Sequence, residues 1–295
     1  MFKSRLFTAM ITPFDKNLEV NLEKTKEFAD YLINTGNEGL VVCGTTGESP
    51  TLSHKEKISL FKTVKETIGN RGEIIAGTGS YCTKSSIELT KAAEEVGVDG
   101  IMLVVPYYNK PPQAALYEHF KAIANSTKLP IMLYNVPGRT SMNLLPETVQ
   151  KLAEIPNIVA IKEAVGNMDQ VSALKSLVPE DFLVYSGDDS LTLPMLALGC
   201  HGVVSVAGNV YGSEISKMIK AFVAGDVEQA AKLHQKLLPL FKSMFITTNP
   251  IPVKAAVNLL GLEVGSLRLP LINANNEQLA IIRKAMEGLN LEVKM

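Results

Sequence analysis

Eight short apolar segments, each followed by an amphipathic pattern, predict an α/β protein built as a closed (β/α)8 barrel. The alternation stops after Ala224, where only helical patterns continue, and this predicts a C-terminal helical region packed on the barrel. The expected division is therefore 1–224 for the barrel and 225–295 for the helical region. Periodicity alone does not show closure, so an open doubly wound sheet is the alternative.

The first strand is expected over 6–12, where Thr8, Thr12, Pro13 and Asp15 cut the apolar run too short for a signal peptide. A helical stripe follows at Leu22, Thr25, Phe28, Ala29 and Leu32. The second strand, 39–43, precedes a stripe at Ile58, Phe61, Val64 and Ile68. Further strands are expected over 73–76, 100–105, 130–134, 157–162, 182–186 and 202–206, each repeat fitting a right-handed crossover. Beyond 224, helices are expected over 227–245, 252–260 and 276–289. Asn249-Pro250 should open the second and Gly261 close it, while Pro239 is expected to kink or split the first.

The chain has 295 residues, 46% of them hydrophobic and 20% charged, so it can bury a large core and disorder is not expected. A net charge of -1 and the lack of any Lys/Arg block disfavour nucleic acid as a partner. Cys43, Cys82 and Cys200 are odd in number and never form a C-x-x-C pair, which favours a reducing, cytoplasmic compartment. No run approaches ~18 apolar residues, so no membrane span is expected. His54, His119, His201 and His234 make no metal-ligand spacing, and Gly77-Thr78-Gly79 lacks the third glycine of a dinucleotide fingerprint. Neither a metal nor another cofactor is expected.

Lys162 ends the run Ile158-Val159-Ala160-Ile161, so a cation sits where a buried strand should meet its loop. On a regular strand Ile158, Ala160 and Lys162 share one face, with the small Ala160 leaving room beneath the lysine. Burial disfavours the ammonium form and makes a neutral amine available to attack a carbonyl carbon, the chemistry of a Schiff base. Taken alone, a lysine at a strand end snorkels to solvent more often than it reacts. Three neighbours change that reading. The turn Gly44-Thr45-Thr46-Gly47-Glu48-Ser49 can aim N–H groups at a small carboxylate, although a capped β–α turn looks the same in sequence. Tyr134 has the parity of Met132 and could project toward Lys162 as an acid–base group, whereas a core tyrosine is the bland alternative. Arg139, in a Pro-Gly turn, suits bidentate recognition of a carboxylate, and Tyr107-Tyr108 adds two aromatics at the same rim.

Gly44-x-x-Gly47-Glu48, Tyr134-Asn-Val-Pro-Gly-Arg139-Thr, Ile161-Lys162-Glu-Ala and Asn249-Pro-Ile-Pro252 resemble the pyruvate-dependent class I aldolases related to N-acetylneuraminate lyase. Among these the chain most resembles the dihydrodipicolinate synthase family, from Phe7 to about Leu271. The resemblance implies a lyase of TIM-barrel fold in which Lys162 condenses with pyruvate and the enamine attacks L-aspartate 4-semialdehyde. Ring closure by the substrate amine would then release 4-hydroxy-tetrahydrodipicolinate, a step of lysine and diaminopimelate biosynthesis. It further implies that Thr45, Tyr134 and Tyr108 relay protons, with Tyr108 reaching into a neighbouring subunit of a homotetramer or dimer. Thr46 is implied at the pyruvate carboxylate, Arg139 at the semialdehyde carboxylate, and backbone groups of Gly187 and Val204 near the substrate. An effector cleft for L-lysine would involve Ser49, His54, Tyr81, Ser85 and Tyr107. Ser85 and Tyr81 replace a glutamate and an asparagine there, and Lys57 replaces a histidine, so weak or absent feedback is expected. Two alternatives stand beside this reading: a sister aldolase that cleaves a sugar acid or sialic acid, which generally lacks the arginine, and a non-catalytic metabolite-binding barrel.

Overall fold

The computed structural model describes residues 2–294. Eight parallel strands close in sequence order, β1 (Leu6–Ala9), β2 (Gly39–Val42), β3 (Glu73–Gly77), β4 (Gly100–Val104), β5 (Ile131–Asn135), β6 (Ile158–Glu163), β7 (Leu183–Ser186) and β8 (Gly202–Ser205). Pairing of β1 with β8, Leu6 against Val203, closes the ring and rules out the open sheet. Helices α1 (Leu22–Asn34), α2 (His54–Ile68), α3 (Thr83–Val96), α4 (Gln113–Ala124), α5 (Pro137–Thr140), α6 (Pro146–Ala153), α7 (Met168–Leu177), α8 (Thr192–Ala197) and α9 (Gly208–Val223) alternate with the strands. Three more follow, α10 (Val227–Ser243), α11 (Ile251–Leu259) and α12 (Asn276–Glu287), with α10 packed on α9 and α12.

Residues of alternate parity divide into two cores. Phe7, Val41, Ile75, Met102, Met132, Ala160, Tyr185 and Val204 fill the barrel, while Leu6, Leu40, Ile101, Leu133, Ile161 and Val203 pack outward under the helices. The N-terminal end is plugged by Phe2 against Phe7, with ring centroids 5.9 Å apart, and by Phe7 against Tyr185 at 5.7 Å. Only the C-terminal mouth is left for chemistry.

Three local expectations need correction. The first strand ends at Ala9, short of Thr12, because the Ile11 N–H turns to the Asn209 side chain at 3.2 Å. The alternation expected in the sixth strand fails at its start: the register shifts where Ile131 faces Ile158 and Met132 faces Ala160. This bulge sends Ile158 outward, while Ala160 and Lys162 keep the inner face. Pro239 does not split α10, which runs unbroken to Ser243. Pro239 and Gln235, whose carbonyl it leaves without an N–H partner, are both exposed, so water can satisfy that oxygen. The opposite face buries Leu233, Leu237, Leu240 and Phe241.

Candidate active site

Lys162 stands at the C-terminal end of β6 on the inner face, 4% exposed, in register with Tyr134 on β5. Its ammonium nitrogen lies 4.3 Å from the Tyr134 ring centroid, a cation–π distance. Strand parity places both groups above Met132 and Ala160, which close the barrel beneath them. Gly187 completes the wall: a Cβ there would meet the Ala164 Cβ at 2.7 Å and the Lys162 Cε at 3.1 Å, so only glycine lets this backbone pass.

Two neighbouring cavities open at this mouth. One, of about 400 Å³, is lined by Thr45, Thr46, Tyr134, Arg139, Lys162, Gly187, Val206 and Asn249 among others. The other, of about 220 Å³, is walled by Gly44, Met102, Val104 and Tyr107 and shares Thr45, Tyr134 and Arg139 with the first. Thr45, Thr46, Tyr134, Arg139, Lys162 and Gly187 thus come together from four different strand ends. A pocket holding an amine, a phenol, two hydroxyls and a guanidinium can form an imine, move its protons and hold a carboxylate.

The turn after β2 is held from both sides. Cys43 and Glu48 bracket it in left-handed backbone conformation, at φ 57° and 56°. Gly77 lets β3 approach it, since a Cβ there would lie 2.4 Å from the Cys43 carbonyl oxygen. The Asn249 side chain donates to the Thr46 hydroxyl at 2.9 Å, and the Asn249 carbonyl accepts from Arg139 at 3.2 Å. Glu48, buried, pairs with the Lys254 ammonium at 2.8 Å and accepts the Arg268 N–H at 3.0 Å. Burial pushes the Lys254 ammonium down to about 8, although Glu48 pulls it the other way. The helical region therefore supplies part of the site.

Two implied positions fall elsewhere. Tyr108 is 93% exposed, at φ 72°, and lines neither cavity of its own chain. Val204 is fully buried among the barrel interior, one layer below, and Val206 is the residue of that segment that reaches the cavity. Of the effector positions, Ser49 and Tyr107 line the smaller cavity, and Tyr81 meets Tyr107 edge to face at 5.3 Å. His54 and Ser85 are exposed and line neither, while burial lowers the half-buried Lys57 below its ordinary range. Among the described residues no helix is long and apolar enough to cross a membrane, and no three His, Cys, Asp or Glu gather as metal ligands.

Sequence reasoning gave no role to Asn249, Lys254 or Glu163. Asn249 and Glu163 stood inside quoted motifs, but their partners lie as far as 203 residues away in the chain. The Asn249 amide oxygen is buried without a partner at the cavity wall.

The model of the dihydrodipicolinate synthetase family matches residues 2–288. The 4-hydroxy-tetrahydrodipicolinate synthase of Desulforudis audaxviator is 59% identical over 97% of this chain and 98% of its own. DHDPS from Cyanidioschyzon merolae, solved with lysine bound, superposes with a TM-score of 0.96 at 46% identity, covering 98% of both chains. The dihydrodipicolinate synthase of Bacillus anthracis gives 0.94 at 50%, covering 96% of this chain and 97% of its own.

Proposed function

The chain belongs to the dihydrodipicolinate synthetase family, and from that membership we propose how its residues carry out the condensation of pyruvate with L-aspartate 4-semialdehyde. The Lys162 amine attacks the pyruvate C2 carbonyl, and the carbinolamine loses water to give an iminium. Loss of a methyl proton yields the enamine, whose carbon attacks the semialdehyde's aldehyde carbon. The new alkoxide takes up a proton. The semialdehyde amine then attacks the imine carbon and expels Lys162, which leaves 4-hydroxy-tetrahydrodipicolinate. The iminium is its own electron sink, so the scheme needs neither metal nor cofactor. The observation that carries this reading is the buried Lys162 ammonium 4.3 Å from the Tyr134 ring on a shared cavity with Arg139.

Thr45 and Tyr134 move the protons in this scheme, Thr46 binds the pyruvate carboxylate, and Arg139 the semialdehyde carboxylate. Gly187 contributes backbone near the substrate, and after β8 that part falls to Val206, since the deeper Val204 does not reach the cavity. Tyr108 acts in trans: it is exposed and lines neither cavity of its own chain, while the smaller cavity offers a mostly apolar pocket of about 220 Å³ beside Thr45 and Tyr134 that suits a partner's phenol. The working unit in this reading is a homotetramer built from dimers, in the cytoplasm, with residues 1–224 as catalytic barrel and 225–295 as the helical region that props the Thr46 turn.

Feedback by L-lysine is weak or absent in the same reading. Ser49, His54 and Tyr107 are kept, but Tyr81 stands in place of an asparagine against Tyr107, Ser85 brings no carboxylate and Lys57 adds a cation near a cationic ligand. An inhibition curve checks this, and a submillimolar half-inhibition constant would contradict it. Steady-state turnover of pyruvate with aspartate semialdehyde, beside cleavage of N-acetylneuraminate and 2-keto-3-deoxygluconate, tests the reaction itself. Synthesis without cleavage is the expected result, and cleavage of either sugar acid at a higher rate would overturn it.

A further inference from the structure

Directly behind Lys162 and Tyr134, on the outer face of the barrel, the next residues of the two strands meet. Asn135 and Glu163 pair in register across β5 and β6, and both are buried. The Asn135 amide nitrogen contacts both carboxylate oxygens, at 3.0 and 3.1 Å, and the Val165 N–H donates to one of them at 2.9 Å. The Asn135 amide cannot turn over without loss, because its oxygen accepts the Leu144 N–H at 2.9 Å. Its nitrogen also reaches the Asn143 side-chain oxygen at 2.8 Å, and Asn143 exchanges two bonds with Gln170 of α7 at 2.8 and 3.0 Å. Among the described residues no cation pairs with Glu163. A buried carboxylate held only by neutral donors is unfavourable as mere filling. Here it joins β5, β6, α7 and the segment that follows Arg139.

We propose that Glu163 is a positioning residue: its carboxylate clamps Asn135 to β6, and so holds Lys162 and Tyr134 facing each other on the inner side. Through Asn143 the same clamp fixes residues 141–145, and with them the turn that carries Arg139. The proposal rests on the roles given above to Lys162 and Tyr134. Burial pushes the Glu163 carboxyl up to about 7 against the pull of its hydrogen bonds. The charged and titratable groups around it are Lys162 on the opposite strand face, the Cys200 thiol before β8, and Lys175 of α7, which faces Cys200. Protonation would turn an O–H toward a donor nitrogen, so the clamp loosens as pH falls through about 7.

Glu163→Gln tests this, since it keeps the size and sets an amino group against the Asn135 nitrogen. The expected result is a kcat lower by about tenfold or more, a raised KM for the semialdehyde, and loss of the acid limb near neutrality, with little change in melting temperature. In Asn135→Asp/Glu163→Gln the donor and acceptor trade places, and the Asn143 and Gln170 amides can turn over together to match, so activity returns in part. Wild-type kcat, KM and pH profile in the single variant would overturn the proposal. So would a folded double variant no faster than the single, or a wild-type profile with no acid limb near neutrality. If the single variant does not fold, the double variant and the wild-type profile decide. Borohydride trapping of pyruvate on wild-type Lys162 is the control: its absence would count against the role of Lys162, whereas its presence leaves the clamp alone on trial.

Discussion

Arg139, unlike Thr46, Tyr134 and Lys162, is exposed, with one bond to the Asn249 carbonyl at 3.2 Å and a place on both cavities. In the proposed scheme a group held so loosely would orient the second substrate without disturbing the first. Arg139→Ala is therefore expected to keep pyruvate adduct formation and to lose kcat/KM for the semialdehyde by an amount equal to a charged hydrogen bond, about 1.5–3 kcal/mol. An unchanged kcat/KM would show that the carboxylate binds elsewhere. At this scale much was legible: Lys162 and Tyr134 are inward by strand parity, and the structure sets one over the other. Asn249 and Glu163 were not legible as functional, because their meaning lies in contacts with Thr46 and Asn135 that no local pattern records.

At the scale of elements, runs such as Ile101 to Leu103 and Ala160 to Ile161 announced strands buried on both faces, and all eight strands form. Their ends were less legible. The bulge at Ile158 and the early end of β1 depend on which carbonyl or side chain faces each N–H across the sheet. Pro239 misled for a similar reason, since helix propensity does not register which face of α10 is wet. The link from α11 to the site turn runs through the Lys254–Glu48 pair, both side chains 1% exposed. Removing one partner strands the other charge in the interior, so Lys254→Met is expected to destabilise the fold by about 3–5 kcal/mol. A urea unfolding midpoint measures it. A loss under about 1 kcal/mol would mean that water reaches Glu48 once the lysine is gone.

For the whole molecule, the closed floor of Phe2, Phe7 and Tyr185 and the open C-terminal mouth leave one face for substrate and one for stability. Tyr108, 93% exposed, is the residue that a single chain does not explain. Mixing a Tyr108→Phe subunit with a Lys162→Ala subunit is expected to restore turnover in hybrid dimers only at sites that combine an intact Lys162 with a partner's intact Tyr108. The two homodimers and a hybrid carrying both changes in one subunit give the comparison, and equal activity whichever subunit carries the phenylalanine would remove the shared site. The central claim is that Lys162 is the Schiff-base lysine of a pyruvate-condensing barrel. Its most direct test is peptide mapping by mass spectrometry after incubation with pyruvate and borohydride: one reduced pyruvate adduct, on the peptide containing Lys162, with irreversible loss of turnover, is the predicted result, and an adduct on any other lysine, or none with activity intact, would contradict it.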